Sequence, residues 1–161
     1  MPDPTKPIPN MKNHPLALAG CFFLCGLFSC SDGTVLETYE GGQKKAQGLK
    51  LADGSKDGRW VSWHKNGKKK LEGVYTNGKR EGTWTGWFEN GQKSDEGLYK
   101  NGKQTGLWVA WYWSGRKAAE GLYAAGKKEG AWKTYKEDGS VYEKLSGNYK
   151  AGEKISGLSK K

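Results

Sequence analysis

The sequence predicts an all-β protein, an elongated, rolled antiparallel meander of about 8–10 strands behind an N-terminal leader. Three observations carry that expectation. Tryptophan recurs every 24 residues at Trp60, Trp84, Trp108 and Trp132. Each period holds two turn signals ending in glycine, spaced for short strands. All five prolines lie within the first 15 residues, so none interrupts a hydrogen-bond ladder further on. The composition agrees: with 25 glycines, 12% aromatics and only 35% hydrophobic residues, the apolar surface after residue 30 is mostly Trp and Tyr. An aliphatic helical core and a disordered chain are both poor matches to that composition.

The first element is a signal peptide over residues 1–29, for which Met11 makes the better start. From Met11 the chain reads MKNHPLALAGCFFLCGLFSC, a basic Lys12 followed by an apolar run from Pro15 to Phe28. That run is about 14 residues, shorter than the roughly 18–20 needed to cross a bilayer. Leu27-Phe28-Ser29-Cys30 resembles the lipobox of bacterial lipoproteins. The resemblance implies cleavage before Cys30, lipidation of its thiol with palmitate-class acyl chains, and a lipid-anchored place in the bacterial cell envelope. Ser31 after the cysteine implies sorting to the outer membrane where the organism has two membranes. A plain secretory signal is the alternative. Cys21 and Cys25 leave with the leader and Cys30 carries lipid, so no thiol remains for a disulfide, a metal or a nucleophile. Residues 30–38 are then an anchor linker and residues 158–161 a tail.

Between them, residues 39–157 form a repeat domain. Its full copies are 58–81, 82–105, 106–129 and 130–157, and a worn partial copy covers 39–57. The 24-residue period also relates Gly58, Gly82, Gly106 and Gly130, and relates Trp63, Trp87, Trp111 and Tyr135. The first turn of each unit is Asn66-Gly67, Asn90-Gly91, Ser114-Gly115 or Asp138-Gly139; the second is Asn77-Gly78, Asn101-Gly102, Ala125-Gly126 or Ala151-Gly152. Read as two-residue type I′ turns, these set the pairing. Trp60 faces Gly73, Gly73 faces Gly82, and Tyr75 faces Gly58.

Strand alternation then puts Trp60, Gly73, Tyr75, Gly82 and Trp84 on one face, with rings lying over glycines. Trp60, Trp84, Trp108, Trp132, Tyr75, Tyr99, Tyr123 and Gly58, Gly82, Gly106, Gly130 are accordingly structural. Trp63, Trp87 and Trp111 project from the other face, beside Lys70, Ser94 and Ala118 respectively. A bulge at any glycine would change this register.

Glu96 to Trp108, EGLYKNGKQTGLW, resembles the MORN repeat, and the 24-residue form with its G-x-W-x-x-W entry resembles the bacterial variant of YwqK-family antitoxins. That resemblance implies a rolled antiparallel sheet and, from the family name, an antitoxin-like neutraliser of a toxin partner.

The chemistry-bearing residues point to binding. Glu72, Glu96 and Glu120 recur with the repeat and read as surface carboxylates near lysines, with Glu72 facing Val61 and Thr83. His64 is the only histidine after the leader and stands in the slot of Phe88, Tyr112 and Lys136, so it reads as a hairpin end. No acid, base and nucleophile set assembles, and the expectation is a non-enzyme without metal or cofactor. The net charge of +10 suits an anionic envelope ligand, and the leader argues against nucleic acid. Candidate partner-binding residues are Trp63, Trp87, Trp111, Lys70, Lys103 and Lys127. Two origins stay open for the indole row: burial within the domain, or cover by a protein partner. The functional expectation is a membrane-anchored binding or scaffold module that meets a protein or an anionic envelope ligand and is held to the membrane through Cys30.

Overall fold

The computed structural model describes residues 28–29 and 33–158. The lipidation candidate Cys30 and the leader before Phe28 lie outside the described residues. The described chain forms one antiparallel sheet whose spatial order is its chain order. Its strands are β1 (Phe28–Ser29), β2 (Thr34–Thr38), β3 (Lys44–Lys50), β4 (Lys56–Trp63), β5 (Lys69–Thr76), β6 (Lys79–Trp87), β7 (Lys93–Lys100), β8 (Lys103–Trp111), β9 (Lys117–Ala124), β10 (Lys127–Thr134), β11 (Gly147–Lys150) and β12 (Glu153–Ser156). The first and last strands do not meet, so the sheet is open. Twelve strands exceed the expected 8–10 for a specific reason. Two strands precede the repeat domain: β1 falls at the end of the expected signal peptide and pairs with β2, and β2 lies in the expected linker and pairs with β3 from Thr34↔Leu49 to Thr38↔Lys44.

The second turn of each repeat is the expected one. Asn77 and Gly78 both take positive φ, 48° and 75°, which a type I′ turn requires. The first turn is different. Gly67 has φ 81° but Asn66 is not in the left-handed region, and the bonds Gly67 N→His64 O and His64 N→Lys68 O close a type I turn with a left-handed glycine after it. That loop is one residue longer than the I′ reading. One extra residue at Lys70 then restores the register, because Trp63 pairs with Lys69 whereas Ser62 pairs with Leu71. Two deviations cancel, so Trp60 faces Gly73 as expected.

On the other side of β5 the register follows the turn through Val74↔Glu81 and then slips, with Glu72 pairing Thr85. Gly73 therefore does not face Gly82, and Glu72 faces Thr85 rather than Thr83. The slip sits at Gly82, whose φ of 66° belongs to the left-handed region and whose missing Cβ would meet nothing within 4 Å. Gly82 is there for its backbone angle, and no ring lies against it. Space is needed at Gly73 instead, where a Cβ would fall inside the Trp84 indole. Gly48, Gly97 and Gly121 stand in the same relation to Trp60, Trp108 and Trp132.

Each of these indoles also ties the register. Trp84 Nε1–H donates to Val74 O at 3.1 Å, Trp108 to Leu98 O at 3.0 Å and Trp132 to Leu122 O at 2.7 Å. The bond reaches the carbonyl beside the covered glycine, next to the interruption in the ladder. Trp60, Trp84, Trp108 and Trp132 are buried, and Tyr75, Tyr99 and Tyr123 fill the gaps between them edge-on, with centroids 4.9–6.2 Å apart. Edge-to-face contact adds to area burial, and a single layer of sheet acquires a continuous core from one row of rings.

The two edges formed by the turns are cross-linked between repeats. At the first-turn edge Tyr39 Oη donates to Trp63 O, His64 Nε2 to Trp87 O and Tyr112 Oη to Tyr135 O, at 2.8, 2.8 and 2.6 Å. His64 is thus the hairpin-end residue its slot suggests. At the opposite edge Gly78, Gly102 and Gly152 donate backbone N–H groups to the carbonyls of Lys56, Arg80 and Lys128.

Candidate functional site

The face opposite the ring ladder carries the candidate residues, and the bulge at Lys70 determines who neighbours whom. Trp63 lies across from Lys69, Trp87 across from Lys93 and Trp111 across from Lys117. The expected neighbours Lys70, Ser94 and Ala118 are corrected by one residue each, because each is the extra residue of its strand. Lysines also reach the indoles from the preceding strand: Lys44 Nζ is 5.7 Å from the Trp63 ring, Lys69 5.6 Å from Trp87 and Lys93 5.9 Å from Trp111. Trp87 and Trp111 are therefore half-buried between two lysine stems each.

The same lysines hold the acidic row. Lys69, Lys93 and Lys117 donate to Glu72, Glu96 and Glu120 at 2.7, 2.6 and 2.9 Å. Residues three apart on a regular strand point to opposite faces, so this pairing is itself a product of the bulge. Lys69, with Arg59, holds Glu72 below its ordinary carboxylate range, and Lys93, then Thr85, does so for Glu96. In the last copy Tyr135 replaces tryptophan, and its hydroxyl donates to Glu120 at 2.7 Å. That bond, with Lys117, lowers Glu120 and pushes the Tyr135 phenol up to about 12.

A third row completes the face. Val74, Leu98, Leu107 and Leu122, opposite in direction to Gly73, Gly97, Trp108 and Gly121, are 41%, 41%, 56% and 48% exposed. Leu107 pairs with Leu122, and the Gly106 position lies against Leu98 Cδ1. Thr83, which pairs with Leu98, stands between that leucine and Val74. At the head of the face an open concavity of about 410 Å³ lies between Gln47, Leu49, Arg59, Val61, Trp63 and Lys69.

The remaining candidates are elsewhere. Lys70 is exposed at the first-turn edge, whereas Lys103 and Lys127 begin β8 and β10 beside the I′ turns, with Lys79 in the equivalent place on β6. Eight residues of strand separate Lys103 from Trp111, roughly 25 Å. The structure thus splits the candidate set into a tryptophan face and a lysine edge. Reading the sequence missed Lys69, Lys93, Lys117 and the aliphatic strip. The signal was present in Lys-x-x-Glu at 69–72, 93–96 and 117–120. Among the described residues no three His, Cys, Asp or Glu side chains converge as metal ligands would.

Residues 56–77, 80–101 and 128–150 match the family described as the MORN repeat variant. These segments begin on or beside Lys56, Arg80 and Lys128, each of which lies over a buried tryptophan ring. No curated protein matches the chain. Over these three segments the sheet is similar to the MORN repeat variant, a unit that suggests a binding or scaffold module.

Proposed function

We propose that the protein is a non-catalytic binding module of the bacterial cell envelope, anchored by lipid at Cys30, whose tryptophan face receives a protein partner. The observation that carries this reading is the aliphatic strip Val74, Leu98, Leu107 and Leu122, exposed beside a regular row of half-buried indoles. Exposed apolar side chains gathered on one charge-rimmed face are characteristic of interaction sites. Repeats advance by two strands, so anchors recur at about 10 Å, a spacing that suits an extended surface better than a single pocket. The lysines of this face are ion-paired to Glu72, Glu96 and Glu120, which favours a protein over a bare polyanion there. The lysine edge of Lys79, Lys103 and Lys127 is the better match for anionic head groups or wall polymers.

Crosslinking of the protein in its native membrane, followed by mass spectrometry, tests the reading. Retention of one partner that Leu107→Asp abolishes without lowering the melting temperature is the expected result. Partner capture unchanged by Leu107→Asp and by Trp111→Ala would sink it. A single stoichiometric partner encoded beside this gene, and toxic without it, would specify the antitoxin-like form of the same activity. Cys30→Ala should abolish lipid labelling and membrane partitioning.

A further inference from the structure

The ring ladder contains an internal comparison that points to a second site, on the face opposite the proposed partner surface. In three places a cation lies over a tryptophan and the following tyrosine. Lys56 is 4.2 Å from Trp60 and 5.5 Å from Tyr75; Arg80 is 4.4 Å from Trp84 and 5.1 Å from Tyr99; Lys128 is 4.5 Å from Trp132 and 5.0 Å from Tyr149. The fourth pair, Trp108 and Tyr123, has the same edge-to-face geometry, 5.9 Å and 81°. The residue at the cation's position is Gln104. Among the described residues no side-chain cation lies over the Trp108 ring.

Trp108 shows the consequence. It is 8% exposed, against 3%, 2% and 4% for Trp60, Trp84 and Trp132. One side of its indole covers Gly97 and its Nε1–H is bound to Leu98 O, while the ring also borders open space. A cavity of about 210 Å³ opens there, bordered by Trp108, Tyr123 and Trp132 over Ala110 and Ala119. The equivalent space in the first copy lies between Lys56, Trp60, Tyr75 and Trp84 over Ser62 and Leu71, and measures about 40 Å³. Gln104, which takes the place of Lys56 and is likewise partly buried, does not border the larger cavity, and Ala119 stands where the first copy has Leu71. Lys128 also borders the larger cavity, but its ammonium is engaged by Trp132 and Tyr149. Asp95, paired across from Ala110, is the carboxylate of the floor row, and its Oδ1 accepts from Ser94 Oγ and lies against the Gly86 position.

We infer that the Trp108–Tyr123 cavity binds an organic cation, an alkylammonium or guanidinium group supplied from outside the chain, in the position that Lys56, Arg80 and Lys128 fill from within. Aromatic faces in this arrangement attract such groups through the ring quadrupole, and a group with a bulky apolar surface uses the additional volume. The cation is either a free quaternary ammonium compound or the Lys or Arg side chain of another protein.

The test uses the full chain in a maltoside detergent, with indole N–H resonances recorded by NMR at constant ionic strength. The titrants are tetramethylammonium, N-acetyl-arginine amide and, as a neutral isostere, tert-butanol. Tetramethylammonium or the arginine amide should move the Trp108 indole resonance saturably and leave Trp60 in place. The tighter of the two identifies the source. Gln104→Lys, which installs the residue found at positions 56 and 128, should weaken the response by at least about tenfold and raise the melting temperature. Ala119→Leu should weaken it without adding charge. A Trp108 resonance unmoved by both cations, an equal response to tert-butanol, or an undiminished response in Gln104→Lys would each overturn the inference.

Discussion

Trp84 and Trp87 are three residues apart on one strand and live in different chemistries. Trp84 is 2% exposed, lies over Gly73, donates its N–H to Val74 O and meets Tyr75 at 4.9 Å. Trp87 is half-buried on the other face, with Lys69 and Lys93 beside it and an exposed leucine strip further along. Alternation alone separates them. The lesson is that a single-layer sheet can hold its core and its contact surface in the same strand, provided glycine removes the side chains that would keep the core rings off the backbone.

The largest expected effect tests the core side. Trp84→Ala removes a large buried aromatic, its edge contacts and its register-setting hydrogen bond, and should destabilise by about 3–5 kcal/mol in thermal or urea unfolding. Gly73→Ala and Gly82→Ala should both cost stability, for different reasons. At Gly73 the new methyl overlaps the Trp84 ring, a strain of about 1–3 kcal/mol. At Gly82 the space is free and the penalty is the left-handed backbone, about 1–2 kcal/mol. Asparagine distinguishes the two: Gly82→Asn should recover most of the loss and Gly73→Asn should not. Equal outcomes at both positions would remove the distinction between space and backbone angle.

That distinction also marks what could be read from the sequence. Trp60 opposite Gly73, the Asn77-Gly78 turn and the opposed directions of Trp84 and Trp87 follow from period and alternation, which depend only on residue spacing. The sheet's extension into Thr34–Thr38 was hidden by the loss of the repeat pattern there. The bulges at Gly82 and Lys70 were hidden for another reason. Glycine serves turns, ring clearance and left-handed backbone alike, so its one-letter code does not say which, and Lys70 looks like any turn lysine. What betrays the second bulge is energetic: Lys69 and Glu72 would be on opposite faces of a regular strand, yet they recur together in the first three full copies. A register without the bulge puts Lys70 beside Trp63, where Lys69 stands.

A smaller effect is expected on the contact face. Trp87→Ala leaves the ring ladder intact and should cost about 1 kcal/mol, the scale of exposed stacking with lysine, while reducing retention of the proposed partner in crosslinking. The smallest effect is electrostatic. Glu72, Glu96 and Glu120 are lowered from the ordinary carboxylate value in the folded state by their lysine, arginine, threonine and tyrosine partners. Their stabilisation is therefore present above the unfolded-state pKa and is lost as pH falls through the lower folded-state values. Stability should decline below about pH 4.5, and replacement of all three by Gln should flatten that decline; these groups are partly exposed, so the change is modest.

The division between the faces can be measured in one experiment. A photoreactive amino acid is placed at Thr85, on the proposed contact face between Glu72 and Glu96, or at Ser62, on the ring face beside Leu71, and the protein is irradiated in the cells that produce it. The expected result is a discrete intermolecular adduct from Thr85 and none from Ser62. An adduct from Ser62 with none from Thr85 would place the partner on the wrong side of the sheet and contradict the assignment of core and surface.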